Sequence, residues 1–467
     1  MRPLSQRRLA ITVVFVVLHS VAAWSQTFAT LVTFNGTNGA TPVETPLVQG
    51  TDGNLYGTTL GGGAYGNGTV FRITPTGKLT TIYSFCSQTN CADGSEPYGG
   101  LVLGTDGNFY GTTSQGGADG ISGTVFKITP LGILSTLHSF SGADGAASRA
   151  PMILSDGSFY GITQNGGSNG SGTVFKITPK GVFTSLHSFA SGEGYYATGP
   201  LMQASDGNFF STTELGGANG YGTIFKITPG GTFSTFYSFS STDGSAPAGG
   251  LIQASDGDLY GTTYEGGVFN TCPNGCGTVF KISLGGILTT IANLEPTGPA
   301  NPIAALIEAT DGNFYGTSYS GGSAGGWGTF FEITPSGDIT TIHSFDGNDG
   351  AQPYGPVTQD TNGYFYGTVT NGLGKAAQGT VFGETTNLVP FVSFIRSRGK
   401  TGQTVGILGQ GFRSATNVSF NGTAASFTIR SGTFLVATVP VGASSGFVTV
   451  TTASGTMNSN VSFRVMQ

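Results

Sequence analysis

The sequence predicts an all-β chain in which one four-stranded sheet is written seven times, and three observations carry that prediction. The dipeptide Asp-Gly recurs at Asp52, Asp106, Asp156, Asp206, Asp256 and Asp311, with Asn362 in the seventh place, so the period is about 50 residues. A second marker, Gly-Thr-apolar-Phe, begins at Gly68, Gly123, Gly172, Gly222, Gly277, Gly328 and Gly379. Composition agrees with both: Gly supplies 80 of 467 residues, 9% are charged and 11% are aromatic, which describes a turn-dense β protein with ample apolar surface to bury and excludes disorder. A period of this length suits a solenoid or a propeller; four strands per period favour a seven-bladed β-propeller.

The chain opens on Arg2, Arg7 and Arg8, an apolar run from Leu9 to Leu18 and small residues at Ala22, Ala23 and Ser25. This reads as a signal peptide over residues 1–25, cleaved between Ala23 and Ser25. The run falls short of the roughly 20 residues that cross a bilayer, so no membrane span is expected once it is removed. A secreted or cell-surface protein, with the periplasm as a further location, is the expectation. The net charge of −6 becomes more acidic when three arginines leave with the leader, which argues against nucleic acid as a partner.

Within the first unit, "PLVQG" is strand a, "NLYGTT" strand b, "GTVFRIT" strand c and "LTTIYSF" strand d. Asp-Gly links a to b as a hairpin turn, and Thr-Pro-x-Gly links c to d, with Pro presetting φ and Gly supplying a positive one. Strand c places Val70 and Arg72 on one face and Phe71 and Ile73 on the other. The ends decide between an open and a closed array. "TLVTF" at Thr30 to Phe34 matches strand d, whereas the last unit stops after its c strand, "GTVFGET" at Gly379 to Thr385. Joined, they complete a seventh blade from both termini and leave no exposed sheet edge. A propeller over residues 27–386, closed by an N-terminal outer strand, is therefore expected.

The tandem pattern "DGNxYGTTxxGGxxGxGTVFKITPxGxxTTLHSF" resembles the GloVer repeat of bacterial choice-of-anchor secreted proteins, from about Thr30 to Thr386. The resemblance implies a repeat-built extracellular protein with a variable C-terminal attachment module, and it carries no catalytic residues to transfer. The seventh unit departs from the pattern through Asn362 and "NGLGKAAQ", and one d strand, "TTIANL", ends in Leu294 where the others have Phe. From residue 387 to 467 the period vanishes while alternating β segments persist, with Gly-x-Gly-Phe at Gly409 to Phe412, "VSFNGTAA" and "TVPVGASSGFVTVTT". This stretch resembles an IPT/TIG domain, which implies an immunoglobulin-like β-sandwich.

The four cysteines form two tight pairs, Cys86 with Cys91 and Cys272 with Cys276, and outside the cytoplasm local disulfides are the natural reading. A four-cysteine zinc site would require opposite sides of the ring to meet, and no metal or cofactor is expected. The Asp of each Asp-Gly-Asn offers one carboxylate where calcium takes six to eight oxygens, so an Asx turn explains it better. A second acidic series, Asp93, Asp144, Glu193, Asp243 and Asp349, lies in the d to a loops and is read as turn chemistry too. His138, His187 and His343 share one strand-d slot, occupied elsewhere by Tyr83 and Tyr237; they are expected on the outer rim, none touching another, in structural roles.

Two functions from different classes fit. The favoured one is a non-enzymatic binding or cell-surface interaction protein whose partner is a glycan or a surface protein. The other is a carbohydrate-active enzyme. Arg72 and Arg149, the two arginines of the repeat region, cannot build a sialidase-type cluster, while Glu214, Glu265 and Asp119 could face one another as paired carboxylates. Loop lengths point to the site: the a to b and c to d turns never vary, and all length variation falls in the b to c and d to a loops, which share one face. That face also gathers aromatic residues, and Tyr264, Tyr319, Trp327 and Tyr354 are expected at the centre of a contact surface.

Overall fold

The computed structural model describes residues 27–43, 46–268, 272–372, 374 and 378–466; the expected signal peptide lies outside them. Among the described residues, seven four-stranded antiparallel sheets carry the repeat, and helical structure is limited to short 3-10 turns such as Thr89–Cys91 and Phe412–Ser414. The first sheet consists of Val48–Gln49, Leu55–Thr59, Thr69–Ile73 and Leu79–Ser84, in that spatial order. The seventh draws on both ends of the repeat region: Thr358–Gln359, Phe365–Val369 and Thr380–Thr385 are followed in space by the N-terminal strand Thr27–Thr33.

The N-terminal strand occupies its place in the register of a strand d. In the first sheet the c to d pairing slips between Val70 and Phe71, skipping one residue of the outer strand, and the same bulge recurs in the second to sixth sheets. The pairing of the N-terminal strand with Thr380–Thr385 slips between Thr30 and Val32, at the equivalent place. Phe85 N donates to Gly68 O at 3.0 Å, and Phe34 N donates to Gly379 O at the same distance.

Two glycines of the first unit are dictated by packing. The φ of Gly68 is +96°, and a Cβ there would sit 2.5 Å from Thr59 O and from the Pro97 ring. Gly57, in the middle of strand b, lies under Phe71, whose ring tip would be 2.7 Å from an added Cβ. The Asp of the a to b turn does two jobs. Asp52 Oδ1 accepts from Asn54 N at 3.2 Å, as an Asx turn requires, and Asp52 Oδ2 accepts from Tyr56 Oη at 2.9 Å. In the seventh unit the polarity reverses, with Asn362 Nδ2 donating to Tyr366 Oη at 3.0 Å.

Apolar clusters lie between successive sheets. One joins Tyr56, Val70 and Phe85 of the first unit to Leu101, Phe109 and Phe126 of the second, and another joins Tyr366 and Val381 of the seventh, with Phe34, to Leu47, Leu55 and Phe71 of the first. Burying such rings against their neighbours is the main stabilising term of the array. Beyond residue 387, two further four-stranded sheets share one core that includes Ile407, Val418, Phe420, Leu435, Val448 and Val450. This C-terminal part sits against the a to b turns: Thr433 Oγ1 donates to Thr51 O at 3.2 Å and Gln410 Nε2 to Thr361 Oγ1 at 3.0 Å, while Leu408 joins the Tyr56 and Leu101 cluster.

Candidate functional site

Antiparallel sheets put the b to c and d to a loops at the opposite end of the strands from the turns that the C-terminal part covers. On that open face the backbone repeats more closely than the side chains. Each d to a loop enters strand a through one left-handed residue that is not glycine: Thr41, Glu96, Ala147, Tyr196, Ala246, Asn301 and Gln352 all have φ between 52° and 57°. In a chain this rich in glycine, a side chain at each such position costs backbone strain that Gly would avoid. The carbonyl of this residue accepts from the first residue after strand b, as in Glu214 N to Tyr196 O at 3.1 Å, Tyr264 N to Ala246 O at 3.0 Å and Tyr319 N to Asn301 O at 3.2 Å. A fixed frame thus presents a side chain that changes from unit to unit.

Three of the four expected contact residues come together on this frame. The rings of Tyr264 and Tyr319 lie 6.4 Å apart at 62°, and those of Tyr319 and Tyr354 lie 5.1 Å apart at 76°, both edge-on. Gln352 Nε2 donates to Tyr319 Oη at 2.7 Å, and Asn301 Nδ2 to Tyr264 O at 2.8 Å. Burial, with smaller effects from Tyr319 and Glu265, pushes the Tyr264 phenol above its ordinary value. Trp327 is not part of this group. It is half-buried and packs against the cluster of Phe330, Phe345 and Phe382, while its carbonyl accepts from Gln352 N at 2.8 Å.

Beside the tyrosines lies a cavity of about 140 Å³ lined by Pro151, Thr198, Pro200, Ala248, Ile303 and Tyr354. Next to Thr198 is a polar group that loop lengths did not single out. Thr198 Oγ1 donates to Glu214 Oε1 at 2.6 Å, and burial raises the Glu214 carboxyl, an effect eased by that hydrogen bond and by Arg149. The Arg149 guanidinium lies 5.0 Å over the Tyr98 ring, and its buried Nε has no hydrogen-bond partner. Writing the seven units in register would have found these residues, because Arg149, Tyr98 and Tyr354 fall at one position and Glu214, Tyr264 and Tyr319 at another. Asp119 is consumed by its own loop, accepting from Ile121 N, Ser122 N and Ser122 Oγ, and Glu265 accepts from Asn274 Nδ2 at 3.4 Å. No hydrogen bond joins any two of Asp119, Glu214 and Glu265 among the described residues.

The histidines and the second acidic series answer each other. His138 Nε2 is 2.9 Å from Asp144 Oδ2, His187 Nε2 is 2.8 Å from Glu193 Oε2 and His343 Nε2 is 2.6 Å from Asp349 Oδ2, while Tyr83 and Tyr237 donate to Asp93 and Asp243 at 2.7 Å. Each histidine also stacks on the outer strand of the next sheet: His138 on Phe183, His187 on Phe233 and His343 on Phe28, with centroids 4.0, 4.2 and 3.5 Å apart. These are links between neighbouring sheets. Among the described residues, no group of three or more His, Cys, Asp or Glu is placed to hold a metal.

Cys86 is bonded to Cys91 and Cys272 to Cys276, one pair in a d to a loop and the other in a b to c loop of the open face. Sequence separations of 5 and 4 constrain little of the unfolded chain, on the order of 2 kcal/mol per bond at most. Replacing all four by Ser is therefore expected to leave the global melting temperature within about 10 °C of wild type by calorimetry. A larger drop would mean that the staples hold the fold and not the loops.

Residues 88–273 and 269–413 match the Gloeobacter/Verrucomicrobia repeat, and no curated protein matches the chain. Among solved structures, an extracellular domain from B. thetaiotaomicron, assigned to a hybrid two component system, aligns over 93% of this chain and 58% of its own, with a TM-score of 0.50 at 9% identity. A protein of unknown function from Bacteroides thetaiotaomicron aligns over 77% of this chain and 76% of its own, with a TM-score of 0.43 at 13% identity. The PQQ-bound aldose sugar dehydrogenase of Streptomyces coelicolor aligns over 62% and 93%, with a TM-score of 0.42 at 13% identity. What this chain shares with the extracellular domain is an all-β, propeller-like fold. The repeat match spans well over half of the sequence, and the chain belongs to the Gloeobacter/Verrucomicrobia repeat family.

Proposed function

We propose that this is a secreted, non-enzymatic binding protein: a closed seven-bladed propeller over residues 27–386, followed by an immunoglobulin-like IPT/TIG module over residues 387–467 that attaches or spaces it. The leader over residues 1–25 exports it to the outside of the cell or its surface. Its ligand is a glycan, or the surface of a cell-surface protein, held on the face of the b to c and d to a loops. The observation that carries this reading is the invariant backbone frame bearing variable side chains, with Tyr264, Tyr319 and Tyr354 set edge-on beside a small apolar cavity. Flat, amphipathic rings on a rigid support bind sugar faces at low entropic cost.

A glycan array probed with the purified chain tests it. Alanine at Tyr264, Tyr319 and Tyr354 together is expected to weaken any hit at least tenfold with the melting temperature nearly unchanged, whereas Trp327→Ala, which opens a packed cluster, is expected to lower stability more than affinity. Undiminished binding by the triple variant would remove this face as the site. The enzyme alternative rests on one observation, the raised carboxyl of Glu214, which is near Arg149 and is hydrogen-bonded to Thr198 of the cavity wall. Cleavage of an array oligosaccharide that disappears in Glu214→Gln would establish it in place of simple binding.

A further inference from the structure

The opposite side of the molecule holds a different chemistry. Seven arginines lie beyond the leader of this acidic chain, and three of them, Arg396, Arg398 and Arg464, meet where the C-terminal part adjoins the third and fourth sheets. Arg398–Lys400 runs parallel to Arg464–Met466, and the register sets Arg398 directly opposite Arg464. Like charges in that relation repel. Arg396, two residues before Arg398, adds a third guanidinium close enough to disfavour the charge on Arg398; burial is the larger cause, followed by Arg464 and then Arg396.

The neighbouring acid does not balance them. Asp156, the one carboxylate whose field supports Arg398, already receives Lys176 Nζ at 2.8 Å and Tyr160 Oη at 2.9 Å. Arg464 Nη1 donates to a neutral carbonyl, Ser205 O, at 2.8 Å. The side chains of Arg396 and Arg398 make no hydrogen bond or ion pair with any described residue. Both line a cleft of about 190 Å³, together with the polar residues Ser393, Ser397 and Asn460 and with apolar ones that include Leu154 of the third sheet and Ile395.

We propose that this cleft is an oxyanion site, in which Arg396 and Arg398, with Arg464 at its edge, take a sulfate or phosphate group. Guanidinium forks match tetrahedral oxyanions through paired, charge-assisted hydrogen bonds, and the Ser and Asn groups supply further donors. An anion there removes the repulsion that the parallel ladder builds in. The chemistry is common to a free ion and to a sulfate or phosphate ester on an extracellular polysaccharide, and the cleft is open at the molecular surface to either.

The test uses the full chain and the double variant Arg396→Gln/Arg398→Gln, titrated calorimetrically at constant ionic strength with sodium sulfate, sodium phosphate, dextran sulfate and neutral dextran. Saturable binding of sulfate or phosphate above the chloride background, weakened at least tenfold in the double variant, is the expected result. Tighter binding of dextran sulfate than of the free ion assigns the ester, and equal binding assigns the free ion. In chloride buffer the double variant is expected to melt at or above the wild-type temperature, because it relieves repulsion. No saturable binding by wild type, or binding unchanged in the double variant, overturns the proposal. So does a double variant that melts well below wild type in chloride, which would make the arginines a clamp for the Asp156 turn.

Discussion

Deleting residues 27–34 is expected to destabilise the whole repeat array, by more than any single substitution in it. The segment forms six paired positions along Thr380–Thr385, and Thr27 N donates to Thr385 Oγ1 at 3.1 Å. Phe34 is 1% exposed and lies in the cluster between the seventh and first sheets, while Phe28 stacks on His343 at 3.5 Å and meets Phe345 and Phe382. Phe34→Ala alone should cost about 3–5 kcal/mol, since a ring of that size leaves a cavity that its neighbours fill only in part. The full deletion also bares the edge of Thr380–Thr385, an open template for aggregation. Thermal and urea unfolding of the deletion and of Phe34→Ala, with and without a peptide of residues 27–34 added in trans, measures the effect. Partial recovery by the peptide is expected. Wild-type melting of the deletion would mean that the sheets are stable as an open array and that the seam contributes nothing.

The seam was legible in the sequence because hairpin chemistry and strand endings are local. Asp52 and Gly53 specify the a to b turn by themselves, and "LVTF" before the first turn resembles "IYSF" before the next loop. The same locality limits what could be read. The slot shared by His138, His187 and His343 and the acids six residues onward were both visible, but their bonding depends on how a loop folds back, and the stacking of His138 on Phe183 joins different sheets. Loop lengths located the open face without resolving its centre. Trp327 follows two glycines, and its half-buried ring packs on the Phe330 cluster, whereas Arg149 and Glu214 are single departures at positions that other units fill with unrelated residues. Nor does β alternation say against which face the C-terminal part will rest, because that depends on contacts such as Leu408 with Leu101 that no repeat pattern encodes.

Stability is expected to fall as pH rises from about 5 to 7.5, and two buried carboxylates of the seventh sheet are the reason. Glu384 stands where the first and second sheets have Ile73 and Ile128, is 3% exposed, and is pushed by burial from the ordinary 4.5 to about 7, an effect that His343 reduces. Asp360 stands where other units have Gly50, Ala204 or Ala254; it is 1% exposed, its Oδ1 has no partner, and burial pushes it from 3.8 to about 6 against the backbone N–H groups of Asn362 and Thr361. For both acids the folded value lies above the unfolded one, so the folded chain holds more protons between the two. Their contribution is most favourable below the unfolded values and is lost as pH climbs through 6 and 7. Asp106 works in the other direction: Lys127, Asn108 and Tyr110 outweigh its burial and hold it at about 2, so its stabilisation is present above the unfolded value and fades as pH drops toward 2. The two trends place the optimum near pH 4, with a loss on the order of 4 kcal/mol between pH 5 and 7.5. Urea unfolding of wild type and of Glu384→Ile/Asp360→Ala at pH 5.0, 6.0, 7.0 and 7.5 checks this; the double variant is expected to be the more stable at pH 7.5 and to lose most of the slope. An equal slope in both proteins would mean that neither carboxylate is buried as charged surface in the folded chain.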